Sequence, residues 1–262
     1  MSSRLGGYCQ GIATYLLPVF LHGQLWISLA LWSTPPAWAG GFTQPEGRIF
    51  TDVTLRTLEA GSFEKVELQL FIEYGLQDDL TLIWKSPYNW IENDVGEETL
   101  RNQGFIDQEI GVRWRFNNDP NLAMAIQGLL ILPPGYDPDQ NLALGTDNVG
   151  IEIRFPVSWI YSLGQRQGIL TAEIAYRDFF GTQGSEIRWF AEVSQNVLDR
   201  ITLVAQLENT NGLAELQTDL TKLTGNVQVK VNPNFTLVVG GFRHIQGPSG
   251  QGLEFKVFFS SN

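Results

Sequence analysis

Beyond residue 40 the chain is written in period two. Val66, Leu68, Leu70, Ile72 and Tyr74 interleave with Glu67, Gln69, Phe71 and Glu73; a turn follows, and Leu80, Leu82 and Trp84 take over the apolar phase. Strict alternation puts apolar side chains on one face of a strand and the remainder on the other, and it is incompatible with the 3.6-residue period of a helix. The second face carries charges of both signs. A strand with lipid on one side and a wet lumen on the other has this composition.

Alternation and turn-forming residues together predict twelve strands, at 49–58, 66–74, 80–85, 105–116, 122–132, 149–159, 168–177, 186–194, 200–208, 222–231, 235–242 and 253–259. Several reach the nine to eleven residues that a tilted strand needs to cross a bilayer. The links after even-numbered strands (75–79, 117–121, 161–167, 195–199 and 232–234) are short and rich in turn formers. Most of the others (86–104, 133–148, 178–185, 209–221 and 243–252) are longer. Outer-membrane barrels have short periplasmic turns and longer extracellular loops, and an even strand number starting in the periplasm produces this parity. The predicted fold class is all-β: a closed antiparallel up-and-down transmembrane barrel of about twelve strands.

Aromatic residues mark both edges of the apolar face. Tyr74, Trp114, Phe116, Trp159, Tyr161, Phe235 and Phe259 sit beside the short turns or the C-terminus, and Tyr176 and Trp189 sit at the other rim. Two such girdles are expected where a barrel meets the membrane interfaces. Pro156 conflicts with this pattern, because proline cannot donate to a sheet ladder. A bulge or an early strand exit is the expected accommodation.

No segment after residue 40 has the 18 or more continuous apolar residues that a membrane helix requires. The apolar stretch at 12–32, followed by Pro35, Pro36 and the small-x-small signature Ala37-Trp38-Ala39, reads as a cleaved signal peptide over 1–39, leaving a barrel domain over 40–262. Arg4 is the only charged residue in that leader, so the balance of 17 basic against 28 acidic side chains belongs almost wholly to the barrel. A net charge of −11 argues against nucleic acid as a partner. Cys9, the single cysteine, lies in the leader, so the barrel has neither a disulfide nor a thiolate nucleophile.

Particular motifs carry a family resemblance. Glu73-Tyr74-Gly75-Leu76 followed by Asp79-Leu80-Thr81-Leu82 resembles the "EYGL…D-LTL" signature of the bacterial outer-membrane transporter family named after the MetA pathway of phenol degradation. Leu132-Pro133-Pro134-Gly135 is similar to its "LPTG" element, with a second proline in place of threonine. Glu173-Ile174-Ala175-Tyr176-Arg177, with Ser185-Glu186-Ile187, resembles its "E-x-x-Y-R…DE" segment. The resemblance spans about residues 60–210 and implies an outer-membrane β-barrel with a transport role. The chain departs from the usual terminal aromatic by ending Phe259-Ser260-Ser261-Asn262, which reads as an overhang beyond a last strand that the outer-membrane assembly machinery recognises.

The inward face supplies the candidate site. Glu152, Arg154, Glu173, Arg177, Glu186 and Arg188 lie on three consecutive strands, which pair directly in an up-and-down barrel, and are expected to form one contiguous pore-lining patch. Barrels of about eight strands fill with side chains and those of 16–18 leave a channel; twelve falls between, so the lumen is either a restricted pore or plugged. His244 is the only histidine after residue 39, in a Gly/Pro/Ser context with Ser249 nearby, and no catalytic motif accompanies it. Asp137 and Asp139 lack the spacing of a calcium-binding EF-hand loop. No cofactor or metal motif is present, and the chain reads as non-enzymatic. The predicted function is an outer-membrane channel or transporter for small solutes, hydrophobic or aromatic compounds among them, with membrane lipid as its other partner. An outer-membrane hydrolase and a non-conducting structural or surface-binding barrel are the alternatives.

Overall fold

The structure is a computed structural model that describes residues 40–133, 142–146, 148–181, 184–213 and 219–261. The leader, Pro134, Gly135, Asp137 and Asp139 lie outside the described residues. Thirteen strands follow in chain order: β1 (Ile49–Ala60), β2 (Phe63–Gln77), β3 (Leu80–Val95), β4 (Glu98–Phe105), β5 (Gln108–Arg115), β6 (Leu122–Leu132), β7 (Gly150–Leu163), β8 (Arg166–Phe179), β9 (Ser185–Leu198), β10 (Ile201–Gly212), β11 (Leu220–Lys230), β12 (Phe235–Gln246) and β13 (Gln251–Ser260). Each pairs antiparallel with its sequence neighbours, except that β4 and β5 do not pair with each other and both pair with β3. Pairing of β1 with β13 closes the ring into a twelve-stranded barrel.

The alternation sorts the two faces as predicted. Along β7, Ile151, Ile153, Phe155, Val157 and Trp159 are exposed on the outside, while Glu152 and Ser158 between them are buried inside. The outer aromatics stack at the rim where β1 begins and β13 ends: Trp114 on Phe116, Trp159 on Tyr161 and Phe235 on Phe259, with centroids 6.1, 5.9 and 5.1 Å apart. The short-turn rim of an outer-membrane barrel is periplasmic. At the opposite rim Tyr88 stacks with Trp90 and with Phe105. A closed barrel with an apolar belt between two aromatic girdles is the outside of a protein that lives in lipid, and barrels of this type span outer membranes.

Three expectations are corrected. The link 86–104 is not a loop: β3 continues to Val95, turns at Gly96 with φ +66° and returns as β4. Beyond the upper girdle the outer face turns polar, with Glu92 paired to Arg101 at 2.8 Å, so an apolar criterion lost a strand that backbone pairing continues. β4 and β5 form one stave broken opposite Pro87, where the β3 ladder passes from Lys85↔Glu109 to Tyr88↔Phe105 with one extra residue on the partner strand. Pro156 causes neither a bulge nor an exit. It stays in register with Glu173 on β8, and the β6 ladder skips from Gln127↔Arg154 to Met124↔Val157, since the ring has no N–H to offer on that side. Finally, Ser260 and Ser261 are not an overhang. Ser260 belongs to β13, and the Ser261 N–H donates to Ile49 O (2.9 Å) while Arg48 Nη1 donates to Ser261 O (3.2 Å), extending the closing seam.

Candidate functional site

The lumen is occupied by ion-pair networks built from inward positions of neighbouring strands. Glu152 on β7 is buried and takes three arginines: Arg154 (2.6 Å), Arg177 on β8 (2.8 Å) and Arg188 on β9 (3.3 Å). Arg154 also reaches Glu173 (2.8 Å), and Arg177 reaches across to Glu109 on β5 (2.9 Å), which Lys85 on β3 approaches from the other side (3.3 Å). Five of the six predicted pore-lining residues are thereby brought into one network. Glu186 is not part of it: it stands opposite Arg177 in the ladder, but that guanidinium turns to Glu152 and Glu109. The reason is geometric. Arg177 lies between two carboxylates deeper in the barrel, and its planar fork satisfies both.

A second network sits on the wall formed by β1, β2 and β13. Arg56 bridges Glu67 (2.8 Å) and Glu254 (3.2 Å), with Lys65 on Glu67 and Lys256 on Glu254 (each 3.1 Å). Lys222 on β11 pairs with Glu208 on β10, and the Lys222 Nζ and the Arg56 guanidinium both lie over the Phe242 ring. The His244 ring lies tilted 6.1 Å from that of Phe242, centroid to centroid, and has its Nδ1 3.0 Å from Pro248 O. No nucleophile is placed against it among the described hydrogen bonds.

The segment preceding β1 lies inside the barrel. The Gly41 N–H donates to Ser158 Oγ on β7 (3.0 Å), Arg113 Nη1 on β5 donates to Phe42 O (3.0 Å), and the Gln44 N–H donates to Thr81 Oγ1 on β3 (2.8 Å). The Gln44 amide donates to Glu73 on β2 (2.7 Å), whose carboxylate also pairs with Arg113 (2.8 Å) in a buried contact. Gly75 permits the close approach, since a Cβ there would stand 2.0 Å from Pro45 O. Glu73, Gly75 and Thr81, all in the "EYGL…D-LTL" pattern, thus hold a strap of backbone across the periplasmic half of the lumen. At the extracellular end, Asn102 Nδ2 donates to Leu142 O (2.6 Å) and the Thr146 hydroxyl to Asp107 (2.8 Å), fastening residues 142–146 against β4 and the break before β5.

Between these constrictions remains a cavity of about 480 Å³. Arg154, Glu173 and Arg188 line it, whereas Glu152 and Arg177 lie behind them in the wall. Sequence reasoning missed two parts of this lining. The strap had no signal, because residues 40–48 show no alternation. Phe50, Phe71 and Phe258 also line the cavity, and their signal was present: each is an aromatic residue in the polar phase of its strand.

The sequence matches no protein-family model and no curated protein. The fold is similar to solved outer-membrane proteins. An outer-membrane channel from Pseudomonas putida F1 superposes with a TM-score of 0.66 at 15% identity, covering 87% of this chain and 100% of that one. The NanC porin gives 0.54 at 12% identity over 80% and 98% of the two chains, and the KdgM porin 0.51 at 11% over 80% and 99%. The chain is a closed outer-membrane β-barrel with the architecture on which these channels and porins are built.

Proposed function

We propose that this protein is a restricted outer-membrane channel that passes small solutes, aromatic compounds among them. The observation that carries the reading is the cavity. Ion pairs, strap and loop fill much of a twelve-stranded lumen, yet about 480 Å³ remains, lined by charged side chains and by the rings of Phe50, Phe71 and Phe258. A barrel whose interior served only to brace the wall would be packed to the density of a protein core. The fold shared with channels and the motif resemblance to the MetA-named transporter family support the same reading. Arg154, Glu173 and Arg188 act at the surface of the pore, Glu152 and Arg177 hold them in place, and Glu186 serves the extracellular mouth. The leader is removed after Ala39, so that Gly40 starts the strap.

The test is planar-bilayer recording on refolded protein beginning at Gly40, beside a variant lacking 40–44. Small, discrete conductance steps that grow when the strap is absent are expected. Silent bilayers with both proteins, although each migrates as a folded barrel, would overturn the channel reading in favour of a structural barrel.

A further inference from the structure

Two of the carboxylates that line the cavity stand outside the ion-pair networks. Every basic side chain lining the cavity, from Arg56 and Lys85 to Lys222 and Lys256, is paired with a glutamate. Asp52 on β1 and Glu192 on β9 line the same cavity with no basic partner at ion-pair distance among the described residues. Asp52 accepts one hydrogen bond from Thr54 Oγ1 (2.7 Å), and Glu192 accepts one from Gln206 Nε2 (2.6 Å). An ionised carboxylate has room for about four donors, so both retain acceptor capacity toward the cavity.

Asp52 has surroundings that specify a ligand. Its directly opposite neighbours are Phe71 on β2 and Phe258 on β13, and Phe50 precedes it by two residues on the same face. The Phe50 ring lies 5.5 Å from Phe258 and 6.5 Å from Phe71, centroid to centroid. The carboxylate is therefore set in an arc of three rings. Arg56 and Lys256, the cations on nearby register positions, are both turned to Glu254.

A carboxylate beside aromatic faces suits one chemistry better than others. A hard metal ion takes six or more oxygen ligands, and this wall offers rings instead. An anion meets the carboxylate, and a neutral ring leaves it unused. An organic ammonium uses both parts, its charge against the carboxylate and its alkyl shell against the negative faces of the rings. We propose that the lumen contains a binding site for an organic ammonium ion, with Asp52 as counter-ion and Phe50, Phe71 and Phe258 as the aromatic wall.

The inference rests on the channel reading and names the solute class that channel favours, and the test separates the two. Choline and its neutral isostere 3,3-dimethylbutan-1-ol are titrated calorimetrically into the detergent-solubilised barrel. Choline is expected to bind about tenfold or more tightly than the isostere, with Asp52→Asn erasing that difference and Phe258→Leu weakening choline about threefold. Equal binding of choline and isostere, or unchanged choline binding in Asp52→Asn, overturns the site. Should Asp52→Asn not fold, Phe258→Leu and Phe71→Leu decide: undiminished choline binding in both overturns it. Because binding is read at equilibrium without a membrane, a barrel that binds choline but never conducts keeps the site and loses the channel. One that conducts but does not bind choline does the reverse.

Discussion

Arg177 shows how much of the lumen depends on single side chains. Its guanidinium satisfies Glu152 and Glu109, two buried carboxylates on strands that do not touch each other. Removing one partner of a buried pair leaves an uncompensated charge, so Arg177→Ala is expected to destabilise the barrel by about 3–5 kcal/mol in reversible urea unfolding. A loss below about 1 kcal/mol would show that water already solvates the network. The two faces of a strand differ in the same measurable way. Leu203 points to lipid and Gln206 to the lumen on the same strand. Leu203→Arg is expected to cost about 2–4 kcal/mol. Gln206→Arg costs much less, since the new cation would face the unpaired Glu192. Equal costs would place β10 in the wrong register.

At the scale of elements, the strap and the turn that carries it form one device. Gly75, near the end of β2, lies against the backbone of Pro45, and the Gly47 N–H donates to Gly75 O at 2.9 Å. A methyl group at this position has no space, and the obstruction is backbone that no rotamer change removes. Gly75→Ala is therefore expected to lift residues 40–46 off β2 and β3 while leaving the barrel closed. The readout is single-channel conductance, which should rise toward that of the strap deletion. Wild-type conductance in a folded Gly75→Ala barrel would mean that the strap does not limit flow. The long β3–β4 hairpin is a separate element. Its pairing runs past the aromatic girdle into the polar zone, where backbone hydrogen bonds persist after the lipid-facing pattern has ended.

Over the whole molecule, charge is distributed by compartment. The lumen mixes both signs in paired networks, while the extracellular rim of β1–β4 carries Glu59, Glu64, Glu92, Asp94, Glu97 and Glu98 against Lys65 and Arg101. The net charge of −11 is thus expressed mainly at the surfaces. Rim charges act through solvent and are screened, with a Debye length falling from about 30 Å at 0.01 M salt to about 3 Å at 1 M. The cation-over-anion permeability ratio, read from reversal potentials, is expected to fall as salt is raised across this range. A residual preference at 1 M would belong to Asp52 and Glu192 in the lumen. A ratio independent of salt would show that the rim does not steer ions.

The period-two pattern by itself determined that the chain forms strands, which face of each is apolar, where the periplasmic aromatic girdle lies and how the turns alternate between rims. These are local properties, set by the pleat and by the solvent on each side of a strand. Glu152, Arg154, Glu173 and Arg188 were legible as neighbours for the same reason, because consecutive strands pair. Only the tertiary structure decided that Arg177 reaches Glu109, 68 residues away, and leaves Glu186 aside. It alone seated residues 40–44 in the lumen, and it alone gathered Phe50, Phe71 and Phe258 into one arc by joining β13 to β1. Closure and strand stagger set which inward side chains meet across a barrel, and a pattern read along one strand at a time contains neither.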